Sequence, residues 1–127
     1  MTAERSPARG PLLDPDALAQ LRALDPQGRH GLLPRVAGLF EASLASLLPQ
    51  LDAAEAAGDL AVVRHVTHTL KSSSASLGAL ALSRCCAEAE RLAREERREG
   101  LPELLDRLRA ELGHVRPAIA ALGQPGA

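Results

Sequence analysis

The amino-acid sequence predicts an all-α protein, an antiparallel up-and-down four-helix bundle with a short additional N-terminal helix. The 127 residues are 46% hydrophobic, mostly alanine, leucine and valine, and Phe40 is the only aromatic residue. This composition favours helix, because strands draw on β-branched and aromatic side chains. Four long segments have apolar residues at helical spacing and short breaks between them. Short connections make consecutive helices antiparallel neighbours.

The first two helices are predicted from their end residues and their apolar spacing. Asp14 suits an N-cap and Pro15 the first helical position, so a short helix should run to about Leu24. After a turn-rich break, a long helix is expected over about 32–57, with a kink near 45–48 caused by Pro49. Its predicted buried face consists of Val36, Leu39, Phe40, Leu44, Leu47, Leu48 and Leu51.

The remaining three helices are bounded by glycine, aspartate and proline. Asp59 should cap a third helix that ends at Gly78. A fourth helix is expected over about 80–98, with the segment 88–99 as a solvated, charged face. The fifth should start at 101–102 and bury one apolar face. That face consists of Leu104, Leu105, Leu108, Leu112, Val115, Ile119 and Leu122.

Length, charge and cysteine content limit the classes of function. The length predicts one domain, and we expect a bundle over 13–123 with flexible tails at 1–12 and 124–127. A net charge of −1 gives no basic field for nucleic acid. No apolar run approaches the roughly 20 residues that span a bilayer, and no secretory signal is evident. The adjacent Cys85 and Cys86 form no disulfide framework, which favours a reducing, cytoplasmic setting.

The segment HVTHTLKSSSASLG, residues 65–78, contains two of the four histidines and the only lysine, Lys71. The other fourteen basic side chains are arginine. At 100° per residue, His68 lies opposite the predicted buried stripe and is therefore exposed. The stripe consists of Leu60, Val63, Val66, Thr67, Leu70, Ser74 and Leu77. The residues three and four positions away share the face of His68. They are Arg64, His65, Lys71 and Ser72.

Small side chains follow the histidine on its own face. A solvated helix face is expected to carry long charged pairs, whereas Ser72, Ala75 and Ser76 leave a flat patch beside the imidazole. Serine is a poorer helix former than alanine, which is plentiful here. The patch therefore indicates a surface that a large partner approaches.

An exposed imidazole with an ammonium group one turn away suits phosphoryl transfer. The imidazole of His68 offers a nucleophilic nitrogen, and Lys71 offers a mobile positive charge for phosphoryl oxygens. The sequence has no glycine-rich phosphate loop, nucleotide motif or carboxylate cluster for magnesium. The phosphoryl group is therefore expected to come from another protein and to leave to another protein.

The segment HTLKSSSASLGA, residues 68–79, resembles the signature of the histidine-containing phosphotransfer (HPt) domains of multistep two-component signalling. The resemblance extends over about 32–122. It implies a four-helix bundle without its own ATP site that takes a phosphoryl group from a receiver-domain aspartate onto histidine Nε2. The group then passes to another receiver domain.

Carried over by position, His68 is the phosphorylated residue and Lys71 the stabilising cation. Ser72 is the small residue that admits the receiver, in place of the usual glycine, and Gly78 ends the helix. Ser76 stands where many members have asparagine. Both substitutes are small and polar, so access is retained.

The resemblance also implies the partners and the docking surface. The partners are receiver domains of hybrid histidine kinases and response regulators. We expect the chain to act as a monomer, without nucleic acid or membrane and without a cofactor of its own, and we expect magnesium on the receiver. The predicted docking residues are Arg64, His65, Ser72, Ala75 and Ser76.

Two alternatives to phosphotransfer remain at this stage. A helical interaction module could dock receiver domains without transfer, although such a module needs neither His68 nor Lys71. His65 and His68 have a spacing that can hold a metal, but no carboxylate or thiol is evident beside them, and zinc requires at least three protein ligands. We therefore predict no metal. Cys85 and Cys86 should be one core-facing thiol and one partly exposed thiol.

Overall fold

The computed structural model describes residues 12–124, which form five α-helices and no strands. The helices are α1 (Pro15–Ala23), α2 (Leu32–Ala57), α3 (Leu60–Ser76), α4 (Leu80–Arg94) and α5 (Leu101–Leu122). The all-α prediction is confirmed. Of the predicted tails 1–12 and 124–127, all but Leu12 and Gln124 lie outside the described residues.

The four long helices form a closed ring in which each packs against its neighbours in sequence and α5 returns to α2. The short α1 packs against α2. One continuous core runs through the ring, with leucine and valine side chains from all four long helices. The predicted apolar faces of α3 and α5 are both turned into this core. The antiparallel bundle with an added N-terminal helix is therefore confirmed.

Part of the predicted buried face of α2 is wrong. Phe40, Leu44 and Leu51 are buried as expected, but Leu39 is 62% exposed. At 100° per residue Leu39 lies well to one side of Phe40, outside the stripe that meets the core. Pro49 lies inside α2, which continues as one helix to Ala57.

Helix α2 has a long, apolar sequence. By length and composition it is the one helix of residues 12–124 that could cross a membrane, contrary to the expectation that no apolar run is long enough. This is weak evidence for a membrane, because helices of soluble proteins meet the same criterion. Leu39 is its one large hydrophobic side chain that is exposed, and the other exposed apolar residues of α2 are mostly alanine.

Helix α4 ends at Arg94, about four residues before the predicted end near 98. The amide of Arg97 donates to the carbonyl of Leu92 at 2.8 Å, and the amide of Glu96 donates to that of Ala93 at 3.1 Å. This Schellman ending needs a left-handed residue, and Glu96 takes that conformation with φ 56°. No glycine marks the position in the sequence, so the end could not be read from composition.

The turn between α3 and α4 fixes the end of the helix that carries His68. Gly78 has φ 79°, and the amide of Ala79 donates to the carbonyl of Ser74 at 2.8 Å. The carbonyl of Gly78 accepts a hydrogen bond of 2.8 Å from the amide of Asp14. The segment before α1 is thereby attached to this turn, and its Leu13 is buried.

The two cysteines differ from the expectation of one core-facing and one partly exposed thiol. Cys85 is 9% exposed and Cys86 is fully buried, and both are free thiols. Burial raises the pKa of Cys85, and it raises the pKa of Cys86 to about 12. Both positions therefore serve as small core residues.

Candidate functional site

The exposed face of α3 presents His68 as predicted. The histidine side chain is 61% exposed, and it lies opposite the residues that α3 turns into the core. Those buried residues are Val63, Val66, Thr67, Leu70 and Ser74. The hydroxyl of Thr67 donates to the carbonyl of Val63 at 2.8 Å, so its polar group is satisfied within the helix. The placement of His68 thus follows directly from the apolar periodicity of α3.

A carboxylate of α4 holds both His68 and Lys71. The Nδ1 atom of His68 lies 2.9 Å from Glu90 Oε2, and the Nζ atom of Lys71 lies 2.7 Å from Glu90 Oε1. The side chain of Glu90 is only 9% exposed, whereas that of Lys71 is 35% exposed. One buried carboxylate therefore bridges the two residues that the sequence analysis selected.

The electrostatics of this trio favour an ionised Glu90. The hydrogen bond from Lys71 lowers the pKa of Glu90, burial opposes this, and the hydrogen bond with His68 lowers it further. An ionised carboxylate accepts hydrogen bonds only, so the ring atom that meets it carries the proton. His68 therefore donates through Nδ1–H, which leaves the lone pair of Nε2 on the exposed side of the ring.

Glu90 was missed in the sequence because it lies in a charged run that was interpreted as a solvated face. That interpretation holds for Arg94 and Glu99, which are exposed, and is wrong for Glu90. A signal was present, because Glu90 is four residues after the buried Cys86 and one turn before the buried Ala93. A carboxylate at the edge of an apolar stripe indicates a partner on the neighbouring helix.

Helix α4 also fixes the backbone of the site. The hydroxyl of Ser83 donates to the carbonyl of Lys71 at 3.1 Å. Ser83 and Glu90 are seven residues apart and therefore share the edge of α4 that faces α3. Ser83 thus binds the backbone of Lys71, and Glu90 binds its side chain. The position of Lys71 therefore depends on the distance between α3 and α4.

The other predicted site residues surround His68 in two groups. The small residues Ser72, Ala75 and Ser76 are all exposed on the side toward the end of α3. On the other side, a shallow groove of about 340 Å³ lies next to the imidazole. It is lined by Ala61, Arg64, His65, His68 and Glu90.

The metal hypothesis gains no support from the geometry. Glu90 supplies the carboxylate beside His68 that the sequence did not reveal. Even so, residues 12–124 contain no group of three histidine, cysteine, aspartate or glutamate side chains that could hold a metal ion.

Comparison with known proteins gives a consistent assignment. The family model of the Hpt domain matches residues 35–118. A search of curated protein sequences finds no significant match. The crystal structure of histidine-containing phosphotransfer protein B (HptB) from Pseudomonas aeruginosa PAO1 is similar, with 29% sequence identity and a TM-score of 0.80. The similarity covers 93% of this chain and 99% of that one. The chain belongs to the Hpt domain family, whose members carry phosphoryl groups in two-component phosphorelays and are not kinases.

Proposed function

We propose that the protein accepts a phosphoryl group on Nε2 of His68 from a receiver-domain aspartate and passes it to a second receiver domain. The observation that supports this most directly is the 2.9 Å contact between Nδ1 of His68 and the buried Glu90. This contact fixes the ring and its tautomer, so the exposed nitrogen is the nucleophile.

In the proposed transfer His68 is the nucleophile. The lone pair of Nε2 attacks phosphorus, and the bond between phosphorus and the aspartate oxygen breaks, so the carboxylate leaves with the electron pair. The proton on Nδ1 remains there, and Glu90 stabilises the positive charge that develops on the ring. Transfer to the second receiver is the reverse of this step. Magnesium is expected on the receiver.

In this proposal Lys71 is a positioning residue before transfer. Its ammonium group lies 2.7 Å from Glu90 Oε1 and therefore holds the carboxylate that orients His68. Stabilisation of the phosphoryl group by Lys71 stays a prediction, because such contact requires the ammonium group to share or leave its bond to Glu90.

The proposed docking surface lies on α2 and α3. Ser72, Ala75 and Ser76 leave the space beside His68 open, and α2, which carries the exposed Leu39, packs against α3. A receiver domain that approaches over these small residues reaches Nε2 of His68. We propose that the chain does this as a monomer in the cytoplasm.

The test is transfer of radiolabel from phosphorylated receiver domains to the wild-type chain and to His68→Gln. We expect the wild type to acquire acid-labile label and the variant to acquire none while it keeps its helical circular dichroism. Label on the folded variant would show that another residue accepts the group. Receiver binding by the wild type without any label would favour the non-transferring interaction module.

Ser72→Arg tests the docking surface. A long side chain there should slow transfer from a receiver at least about tenfold, since it fills the space beside His68. Phosphorylation by phosphoramidate, which needs no protein docking, should be unchanged. Ala110→Arg adds the same side chain at an exposed position of α5 and is the matched control. Normal receiver transfer in Ser72→Arg would place docking elsewhere.

A further inference from the structure

The groove beside His68 contains a cation that the trio of His68, Lys71 and Glu90 does not use. Arg64 lies four residues before His68 on α3, so the two side chains share one face of the helix. Both line the groove, whereas Lys71 does not. Side chains on a helix point back toward its N-terminus, so the imidazole lies over the turn that contains Arg64.

The charges of the trio cancel before any phosphoryl group arrives. Lys71 carries one positive charge and Glu90 one negative charge, and their atoms are 2.7 Å apart. A phosphoryl group adds about two negative charges at neutral pH. The ring of phosphorylated His68, which keeps its Nδ1 proton, offsets about one of these charges, and the neutral pair formed by Lys71 and Glu90 leaves the remaining charge uncompensated.

Arg64 is available to compensate it. Within residues 12–124, the guanidinium group of Arg64 has no hydrogen bond or ion pair, whereas six other described arginine side chains make at least one. The side chain of Arg64 is exposed and can turn within the groove. A guanidinium group matches phosphoryl oxygens with two parallel N–H donors, which an ammonium group cannot do.

We infer that Arg64 is the cation that binds the oxygens of the phosphoryl group on His68, and that Lys71 acts mainly through Glu90. This inference rests on the proposed function. Arg64 makes no covalent bond and transfers no proton. It binds two phosphoryl oxygens as the group reaches Nε2 and releases them as the group leaves.

The test compares Arg64→Gln and Arg64→Lys with the wild type, and Arg107→Gln is the control. Arg107 is exposed on α5, which lies across the bundle from α3. The donor is phosphoramidate, so that docking plays no part. We expect Arg64→Gln to be phosphorylated about fivefold to tenfold more slowly, the effect of one partly exposed charge-assisted contact. Arg64→Lys should lie between Arg64→Gln and the wild type, and Arg107→Gln should equal the wild type.

A second readout is the NMR signal of the Arg64 side-chain Nε–H, assigned by its loss in Arg64→Lys. Phosphorylation should shift this signal and slow its exchange with water. An unchanged signal, or a phosphoramidate rate in Arg64→Gln within twofold of the wild type, would overturn the inference. Slower transfer from a receiver with a normal phosphoramidate rate would also overturn it, because Arg64 would then contact the partner. Failure of both donors to label wild-type His68 would instead overturn the proposed function, and the inference with it.

Discussion

Replacing Gly78 by alanine tests whether the N-terminal segment helps to hold the end of the site helix. A methyl group at Gly78 would lie 2.6 Å from the backbone nitrogen of Asp14 and 3.0 Å from its carbonyl oxygen. Those backbone atoms cannot yield as a flexible side chain can, so the segment must move. Gly100 is the matched control, since it has a similar φ of 83° and no atom within 4 Å of an added methyl group.

Both variants lose free energy of unfolding through left-handed backbone strain, but only Gly78→Ala also disturbs a contact with the N-terminal segment. Left-handed backbone costs alanine about 1–2 kcal/mol, partly offset by a more restricted unfolded chain. Gly100→Ala should therefore lower the free energy of unfolding by about 1 kcal/mol. In Gly78→Ala, displacement of the segment also breaks the hydrogen bond from Asp14, worth about 1 kcal/mol, and exposes part of Leu13, worth up to about 2 kcal/mol. The expected loss is about 2–4 kcal/mol.

Urea denaturation followed by far-ultraviolet circular dichroism measures both free energies. The helical signal is the suitable probe because the chain has no tryptophan or tyrosine. If the losses for Gly78→Ala and Gly100→Ala agree within about 0.5 kcal/mol, the contact with Asp14 contributes nothing to stability and the reasoning is refuted.

Three further predictions follow from Glu96, the two thiols and Glu90. Glu96→Gly should raise the free energy of unfolding in urea by about 0.5–1 kcal/mol by removing left-handed strain, and a loss of stability would contradict this. Cys85 and Cys86 should resist a disulfide reagent at neutral pH until the protein unfolds, because burial raises the pKa of both; rapid reaction in the folded state would contradict it. The lowered pKa of Glu90 means that its ionised form stabilises the fold above the ordinary value of 4.5, and that this contribution is lost as pH falls through the lowered pKa. The unfolding free energy of the wild type relative to Glu90→Gln should therefore be constant at neutral pH and decrease in acid, and a pH-independent difference would argue against the ion pair.

The fold was predictable because its determinants are local. The cap at Asp14, the helix-ending Gly78 and the apolar period of α3 each lie within one helix or at its end. The end of α4 was predicted too far along the chain, because Glu96 adopts the left-handed backbone conformation that is usually taken by glycine. Leu39 was misplaced because its apolar character does not distinguish a core face from an exposed one.

The site was only half predictable for a different reason. The exposure of His68 and its neighbours follows from the period of one helix. The contact with Glu90 joins residues 22 positions apart, and it depends on how far α4 is shifted along α3. The sequence pattern of neither helix alone predicts how far α4 is shifted along α3. The buried carboxylate, which fixes the orientation of the imidazole, therefore became visible only in the assembled bundle.

The single lysine of this chain makes ordinary amine chemistry selective for the site. Apart from any terminal amine, Lys71 is the only primary amine, and its nitrogen is bound to Glu90. Reductive methylation with isotope-labelled formaldehyde would thus add one side-chain probe. The labelled methyl groups would be attached to Lys71 Nζ, the atom that contacts the carboxylate orienting His68. Its methyl resonance would report on phosphorylation of His68 and on binding of a partner, without any mutation. The arginine side chains on the rest of the surface would not be labelled.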